Sequence, residues 1–222
     1  MAVFDSEADK YDQWYETPLG NFVNLLEKQA IYSLLNPSPG ETVLDVGCGT
    51  GNYSIELAGR DCIVTGVDNS KNMIEIAKWK AASRNLKINF VFADVSLLPF
   101  DDNIYDSAIC VAAVEFFGNR QKGIDEIFRV VKPGGKIVIG FINKNSGWGE
   151  LYQSDYFKEN TVFKYAGLLD IDEIRSIHPG ELIEIKKTLF TPPDESEPSV
   201  EKEKIYAKSN KPGFIAALWQ KK

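Results

Sequence analysis

The sequence predicts an α/β fold, a doubly wound and mostly parallel sheet with helices on both faces. Three observations predict it. Short runs apolar on both faces recur between residues 43 and 142. Segments with helical periodicity separate them, as in repeated strand–helix–strand units. Right-handed crossovers between such units wind the sheet in two directions. The first run ends in a glycine cluster, at the strand edge where open α/β sheets bind ligands.

The elements follow in order. Val43–Val46 is the first strand, and Tyr53 to Ala58 reads as a helix ending at Gly59. Cys62 to Val67 is the second strand and hands over to Asp68. Ser70 is placed to cap a helix through Met73, Ile74 and Ala77 to Ala82. Ile88 to Ala93 and Tyr105 to Ala113 are the third and fourth strands. A helix over Ile124 to Val131 is expected to stop at Pro133-Gly134-Gly135, before a fifth strand from Lys136 to Ile142. Residues 146–170 are then rich in aromatics, and two strands follow near Leu182–Phe190 and Phe214–Trp219. Thr191 to Pro212 carries four prolines and mixed charges, which predicts an antiparallel strand pair joined by a long exposed loop. The first 36 residues read as one or two helices outside the sheet, and no linker divides the 222 residues.

Composition narrows the class. Hydrophobic residues make up 44 % and charged residues 26 %, which excludes collagen, coiled coil and wholesale disorder. No apolar run is long enough to span a membrane, and the Met1–Asp5 start lacks the pattern of a secretory signal. Twenty-five basic residues against 32 acidic ones leave −7, which argues against a nucleic-acid partner. Cys48, Cys62 and Cys110 are far apart and form no CxxC pair. That points to a reducing, cytoplasmic setting without disulfides or structural zinc.

The sharpest signal is Asp45-Val46-Gly47-Cys48-Gly49-Thr50-Gly51. A dinucleotide fingerprint has the spacing GxGxxG. Here the glycines fall at 47, 49 and 51, and Asn52 stands where the third dinucleotide glycine belongs. The carboxylate of Asp45 suits a ligand with an ammonium group and repels a pyrophosphate. Asp68, at the end of the second strand, is placed to accept hydrogen bonds from two ribose hydroxyls. Asp94, at the end of the third, is placed to accept from an adenine amino group.

With these residues the chain resembles the class I S-adenosylmethionine-dependent methyltransferases. Val43 to Gly51 resembles the glycine-rich motif of that family, Gly66 to Met73 its second motif and Ala93 to Phe100 its third. Tyr105-Asp106 opens a fourth strand as the family does, and Phe128 to Gly135 resembles the turn before its fifth. The likeness spans residues 43–141 and is greatest to small-molecule enzymes of the ubiquinone/menaquinone-biosynthesis type. It implies a Rossmann-like sheet of seven strands whose last strand is antiparallel. It also implies a single domain: a helical cap (1–36), a cofactor-binding core (43–143), and substrate-side helices with the antiparallel pair (144–222).

Carried over residue by residue, the resemblance implies S-adenosylmethionine as cofactor and S-adenosylhomocysteine as product. Gly47, Cys48 and Gly49 pass its methionine portion, with Asp45 fixing the ammonium. Asp68 and the adjoining Asn69 take the ribose side. Met73 packs on the adenine, Asp94 and the Val95 N–H meet its edge, and Val111 lies beneath the methionine arm. Tyr11 folds over the cofactor from the N-terminal segment. Bland readings stand beside these: a tight turn and capped helix for the glycines, a helix-start acid for Asp68, a turn acid for Asp94, and ordinary core for Met73. His178, the only histidine, reads as a loop residue before Pro179-Gly180.

Tyr15, Glu115 and Trp148 are the acceptor-side candidates, Glu115 because it follows the fourth strand and is placed to meet an acceptor or orient a water. The expected chemistry is in-line methyl transfer to a small-molecule acceptor, with no metal, no covalent intermediate, no membrane and no nucleic acid. The alternatives are a non-catalytic S-adenosylmethionine-binding sensor or partner protein, and a nicotinamide oxidoreductase, against which Asn52 and Asp45 count.

Overall fold

The computed structural model describes residues 3–178 and 181–222. Seven strands form one sheet: β1 (Thr42–Val46), β2 (Ile63–Asp68), β3 (Asn89–Phe92), β4 (Tyr105–Val111), β5 (Val131–Ile142), β6 (Glu181–Thr188) and β7 (Phe214–Gln220). Their order is β3-β2-β1-β4-β5-β7-β6. The first five pair in parallel, and β7 runs antiparallel to both β5 and β6. The expected seven-stranded sheet with an antiparallel last strand is what the chain forms. The strand order reverses between β1 and β4, which puts the glycine loop at the switch point of the sheet.

Nine helices accompany the described strands: α1 (Ala8–Tyr11), α2 (Pro18–Leu35), α3 (Asn52–Ala58), α4 (Lys71–Ser83), α5 (Arg120–Val130), α6 (Gly147–Gln153), α7 (Asp155–Asn160), α8 (Ile171–Ser176) and α9 (Val200–Tyr206). Caps fix the helix starts. The Thr17 hydroxyl accepts from Gly20 N ahead of Pro18, and the Ser70 hydroxyl accepts from Met73 N at 3.2 Å. Asn119 caps α5, which starts at Arg120, four residues before the start read from the periodicity. That helix ends at Val130 because residue 131 is already extended and pairs with Tyr105, so β5 starts five residues before the expected Lys136 and includes Pro133-Gly134-Gly135.

Alternate strand residues feed two core layers. Leu44, Ile137 and Ile139 pack beneath α5, whereas Val43, Ile109 and Val138 pack beneath α2. A smaller cluster of Ile55, Ile74, Ala77 and Phe90 seats α3 and α4 on the β2–β3 edge. Among the described residues no helix is long and apolar enough to cross a membrane.

One expectation fails. Residues 191–212 are not a long exposed loop, because they contain α9 and are anchored inside. Glu203 accepts from Phe190 N (2.9 Å), Thr191 N (2.8 Å) and the Thr191 hydroxyl (2.7 Å), and Thr191 is fully buried. The carboxylate satisfies three donors that the turn would otherwise leave unpaired.

Candidate active site

The carboxyl ends of β1 to β4 border a cavity of about 110 Å³. Its floor is the glycine loop, where Gly47, Gly49 and Gly51 all have positive φ (+69°, +51°, +81°). Gly47 N and Cys48 N both donate to Val67 O (2.8 and 2.9 Å), tying the loop to β2. A Cβ on Gly47 would collide with that of Ala113, whereas a Cβ on Gly49 would meet no atom within 4 Å, so the Gly49 backbone lies open to the cavity. Asp68 accepts from Gly49 N (2.9 Å) and Ser70 N (2.8 Å). A carboxylate accepts about four hydrogen bonds, so acceptor capacity remains for a ligand. Burial raises the Asp68 carboxyl above its ordinary value, against the backbone bonds. Asn69 and Met73 adjoin it; Asp94, Val95 and Val111 complete the wall. Asp94 also caps the turn after β3 by accepting from Ser96 N at 2.7 Å, so it fills its turn role and still borders the cavity.

The N-terminal segment closes this edge. The Asp5 carboxylate accepts from the Ser70 hydroxyl (2.6 Å), and its carbonyl accepts from the Asn72 amide (2.9 Å). Asp12 accepts from the Thr50 hydroxyl (2.8 Å), the Asn52 amide (2.9 Å) and the Lys80 ammonium (2.6 Å). Burial works to raise the Asp12 carboxyl, and the Lys80, Asn52 and Thr50 hydrogen bonds outweigh it and hold it below its ordinary value. These contacts lay Phe4 and Tyr11 across the cavity mouth, with the Phe4 ring edge-on to Phe116 at 4.8 Å.

A second cavity of about 450 Å³ opens beside the first, and Phe4, Tyr11, Ala112 and Phe116 border both. One face of α2 supplies Leu19, Val23 and Glu27, four residues apart. Tyr15, Trp148, Tyr152, Phe157 and Phe163 supply rings, and Tyr152 stacks on Phe163 at 3.9 Å. The Trp148 ring N–H donates to Thr191 O at 2.8 Å, which fixes its face toward the cavity. At the junction Ala112 has φ +48°, a strained conformation for a residue with a Cβ, and its N–H donates to Gly140 O. The Glu27 carboxyl is pushed up to about 8 by burial and then by the charge of Glu115.

The structure thus gathers Tyr11, Gly47, Gly49, Asp68, Asn69, Met73, Asp94, Val95 and Val111 around one cavity, and Tyr15 and Trp148 around the other. Three candidates stand elsewhere. The Cys48 side chain turns away from the loop into the cluster of Ile55, Ile74 and Phe90. Asp45, 2 % exposed, lies beneath the loop and accepts from the Ser54 hydroxyl at 2.6 Å; burial pushes its carboxyl up to about 7. Glu115, 1 % exposed, meets neither cavity. It accepts from Ile142 N at 2.7 Å and ties the turn after β4 to the end of β5. His178 stacks on Phe128 at 3.5 Å, on the α5 side of the sheet, and the turn expected at Pro179–Gly180 lies outside the described residues. The sequence reading missed Phe4, Glu27 and Ala112. Glu27 carried a signal, an acid four residues after Val23 on an otherwise apolar helix stripe.

Comparison with known proteins bears on this arrangement. The family described as "Methyltransferase domain" matches residues 44–139. An uncharacterised protein of Methanocaldococcus jannaschii is 33 % identical over 174 residues, covering 78 % of this chain and 77 % of that one. A ubiquinone biosynthesis O-methyltransferase of Coxiella burnetii is 36 % identical over 143 residues, covering 64 % of this chain and 60 % of that enzyme. This chain therefore spans about three fifths of that curated relative. Among solved structures, a SAM-dependent methyltransferase of Thermotoga maritima described as a possible histamine N-methyltransferase aligns with a TM-score of 0.76 and 25 % identity. That alignment covers 99 % of this chain and 98 % of the other.

Proposed function

This chain belongs to the class I S-adenosylmethionine-dependent methyltransferases, and from that premise we propose that it methylates a small molecule held in the aromatic cavity. One observation carries the proposal: a polar, glycine-floored cavity and a larger aromatic one meet at Tyr11, Phe4, Ala112 and Phe116. The cofactor site and the acceptor site of a transferase must share such a junction.

The residues of the smaller cavity fit S-adenosylmethionine. Gly49 leaves backbone open where a side chain would intrude, and Asp68 keeps acceptor capacity toward the cavity. Asp68 and Asn69 would hold the ribose, Met73, Asp94 and Val95 the adenine, and Gly47, Gly49 and Val111 the methionine portion. When bound, the cofactor supplies a methyl group on a sulfonium and leaves as S-adenosylhomocysteine. Tyr11 and Phe4 exclude water from the junction. Tyr15 and Trp148 wall the acceptor side. In this reading residues 43–143 form the cofactor-binding core of one domain, and 1–36 and 144–222 shape acceptor choice, which the lining of the larger cavity supports. A reducing cytoplasm suits the three unpaired, buried cysteines.

The test is calorimetric titration with S-adenosylmethionine and, in parallel, with NAD. Two charge-assisted bonds to Asp68 are each worth about 1.5–3 kcal/mol, so Asp68→Ala is expected to weaken S-adenosylmethionine binding ~100-fold or more. Binding of NAD in place of S-adenosylmethionine or its demethylated product overturns the proposal.

A further inference from the structure

We propose that the methyl acceptor is an amine, held as its ammonium in the aromatic cavity with Glu27 as counter-ion. The inference rests on the methyl-transfer reading above and adds the acceptor class to it.

Glu27 projects from α2 into the larger cavity, and no hydrogen bond or ion pair joins it to any described residue. Glu27 is half-buried, and a carboxylate withdrawn from water among aromatic rings is costly to leave uncompensated. The groups facing it from every packed element are neutral or negative. Glu115 faces it from the turn after β4, with one carboxylate oxygen that has no partner. Tyr11 and Tyr15 face it from the N-terminal segment, Tyr53 from α3 and Tyr152 from α6. All four phenols are raised first by burial, with the Glu27 charge among the further causes, so none ionises near neutral pH. The adjacent Lys28 is engaged by Glu56 at 2.8 Å. Glu7 and Lys10, one of each sign, also border the cavity, with Lys10 exposed to solvent.

Such a cavity selects a cation. Aromatic faces attract an ammonium by about 0.5–2 kcal/mol each, and the carboxylate adds a charge-assisted hydrogen bond. A phenolate would meet the Glu7 and Glu27 carboxylates, with Lys10, exposed to solvent, as the cation bordering the cavity. A neutral acceptor would leave Glu27 unpaired. Proton bookkeeping also closes. The ammonium N–H bond breaks, its electron pair stays on nitrogen and the proton moves to a Glu27 oxygen, giving a neutral amine and a neutral acid. A carboxyl held at about 8 by burial accepts that proton readily. Tyr11 borders both cavities and feels the Glu27 charge, so the amine is held on the side of the junction.

The probes are 2-phenylethylamine, its neutral isostere 2-phenylethanol, and 4-ethylphenol. Binding is read by quenching of Trp14 and Trp148, which line the cavity, with S-adenosylhomocysteine bound; methyl transfer is read with labelled S-adenosylmethionine. The amine is expected to bind ~30-fold more tightly than either neutral probe and to tighten as pH rises through about 8. Glu27→Gln is expected to weaken amine binding ~30-fold and flatten the pH dependence, with S-adenosylhomocysteine affinity unchanged. Glu27→Asp, which keeps the charge, is expected to keep the pH dependence. Equal binding of the neutral probes, amine binding indifferent to Glu27→Gln, methylation of the phenol alone, or no amine binding at about 10 mM would each overturn the proposal. Absence of S-adenosylhomocysteine binding would instead overturn the methyltransferase reading, so the two failures are distinguishable.

Discussion

Replacing Glu115 by glutamine tests whether its carboxyl is a structural charge carried at a cost. Glu115 is 1 % exposed, one oxygen accepts from Ile142 N at 2.7 Å, and the other has no partner. Burial moves its carboxyl from 4.5 to about 7. The folded state therefore binds more protons than the unfolded one between those values. Stability is fully present below about pH 4.5 and falls as pH rises toward 7. Ionisation costs the fold under about 1 kcal/mol at pH 5 and about 3 kcal/mol at pH 8. Glutamine keeps a carbonyl oxygen for Ile142 N and has no charge to desolvate. Urea unfolding of both proteins across this range reads the difference. The advantage of the variant is expected to grow by about 2 kcal/mol between pH 5 and 8. Stability curves that stay parallel over that range would refute the reasoning.

The other predictions concern the lid and the loop. Asp12→Ala removes three hydrogen bonds that fasten the N-terminal segment to Thr50, Asn52 and Lys80. Because Asp12 is partly exposed, a loss of about 1 kcal/mol is expected, read by calorimetry as ~5-fold weaker S-adenosylmethionine binding. Unchanged affinity would dissociate the segment from the cofactor site. Gly47→Ala and Gly49→Ala share a positive φ but differ in surroundings. Gly47→Ala is expected to destabilise the fold by more than about 2 kcal/mol, since its Cβ strikes Ala113. Gly49→Ala is expected to cost about 1 kcal/mol of stability and to lose cofactor affinity, since its Cβ enters the cavity. Melting and calorimetry together separate the two, and equal effects on both readouts would contradict the loop geometry.

The legible parts of this molecule are those where backbone geometry dictates residue type. Positive φ at residues 47, 49 and 51 favours glycine, so the loop and its place at the switch point could be read directly. Asp68 was legible as a strand-end carboxylate beside the loop, whereas its hold on the loop through Gly49 N was not. Asp45 shows the limit. Its motif position was recognisable, but whether its carboxylate faces a ligand or the Ser54 hydroxyl depends on how α3 packs. Glu115 fails in the same way, its direction set by a free N–H at the end of β5. Helix α9 was hidden because Glu203, the residue that anchors it, looks like any charge in a solvated stretch.

The two cavities differ in what holds them, and that difference decides how far family likeness reaches. The smaller one is built from strand ends and a loop pinned to Val67 O, so its shape follows from the sheet. The larger one is built from the N-terminal segment, α2 and residues 148–163, packed on the sheet from outside. The family match ends at residue 139 and begins at 44, so it contains the first cavity's loop and omits Glu27, Tyr15, Trp148 and Tyr152. The family match consequently speaks for the cofactor side. Acceptor identity has to be argued from residues outside that family match, and among them Glu27 is a carboxylate on the cavity wall to which no described residue supplies a hydrogen bond or ion pair.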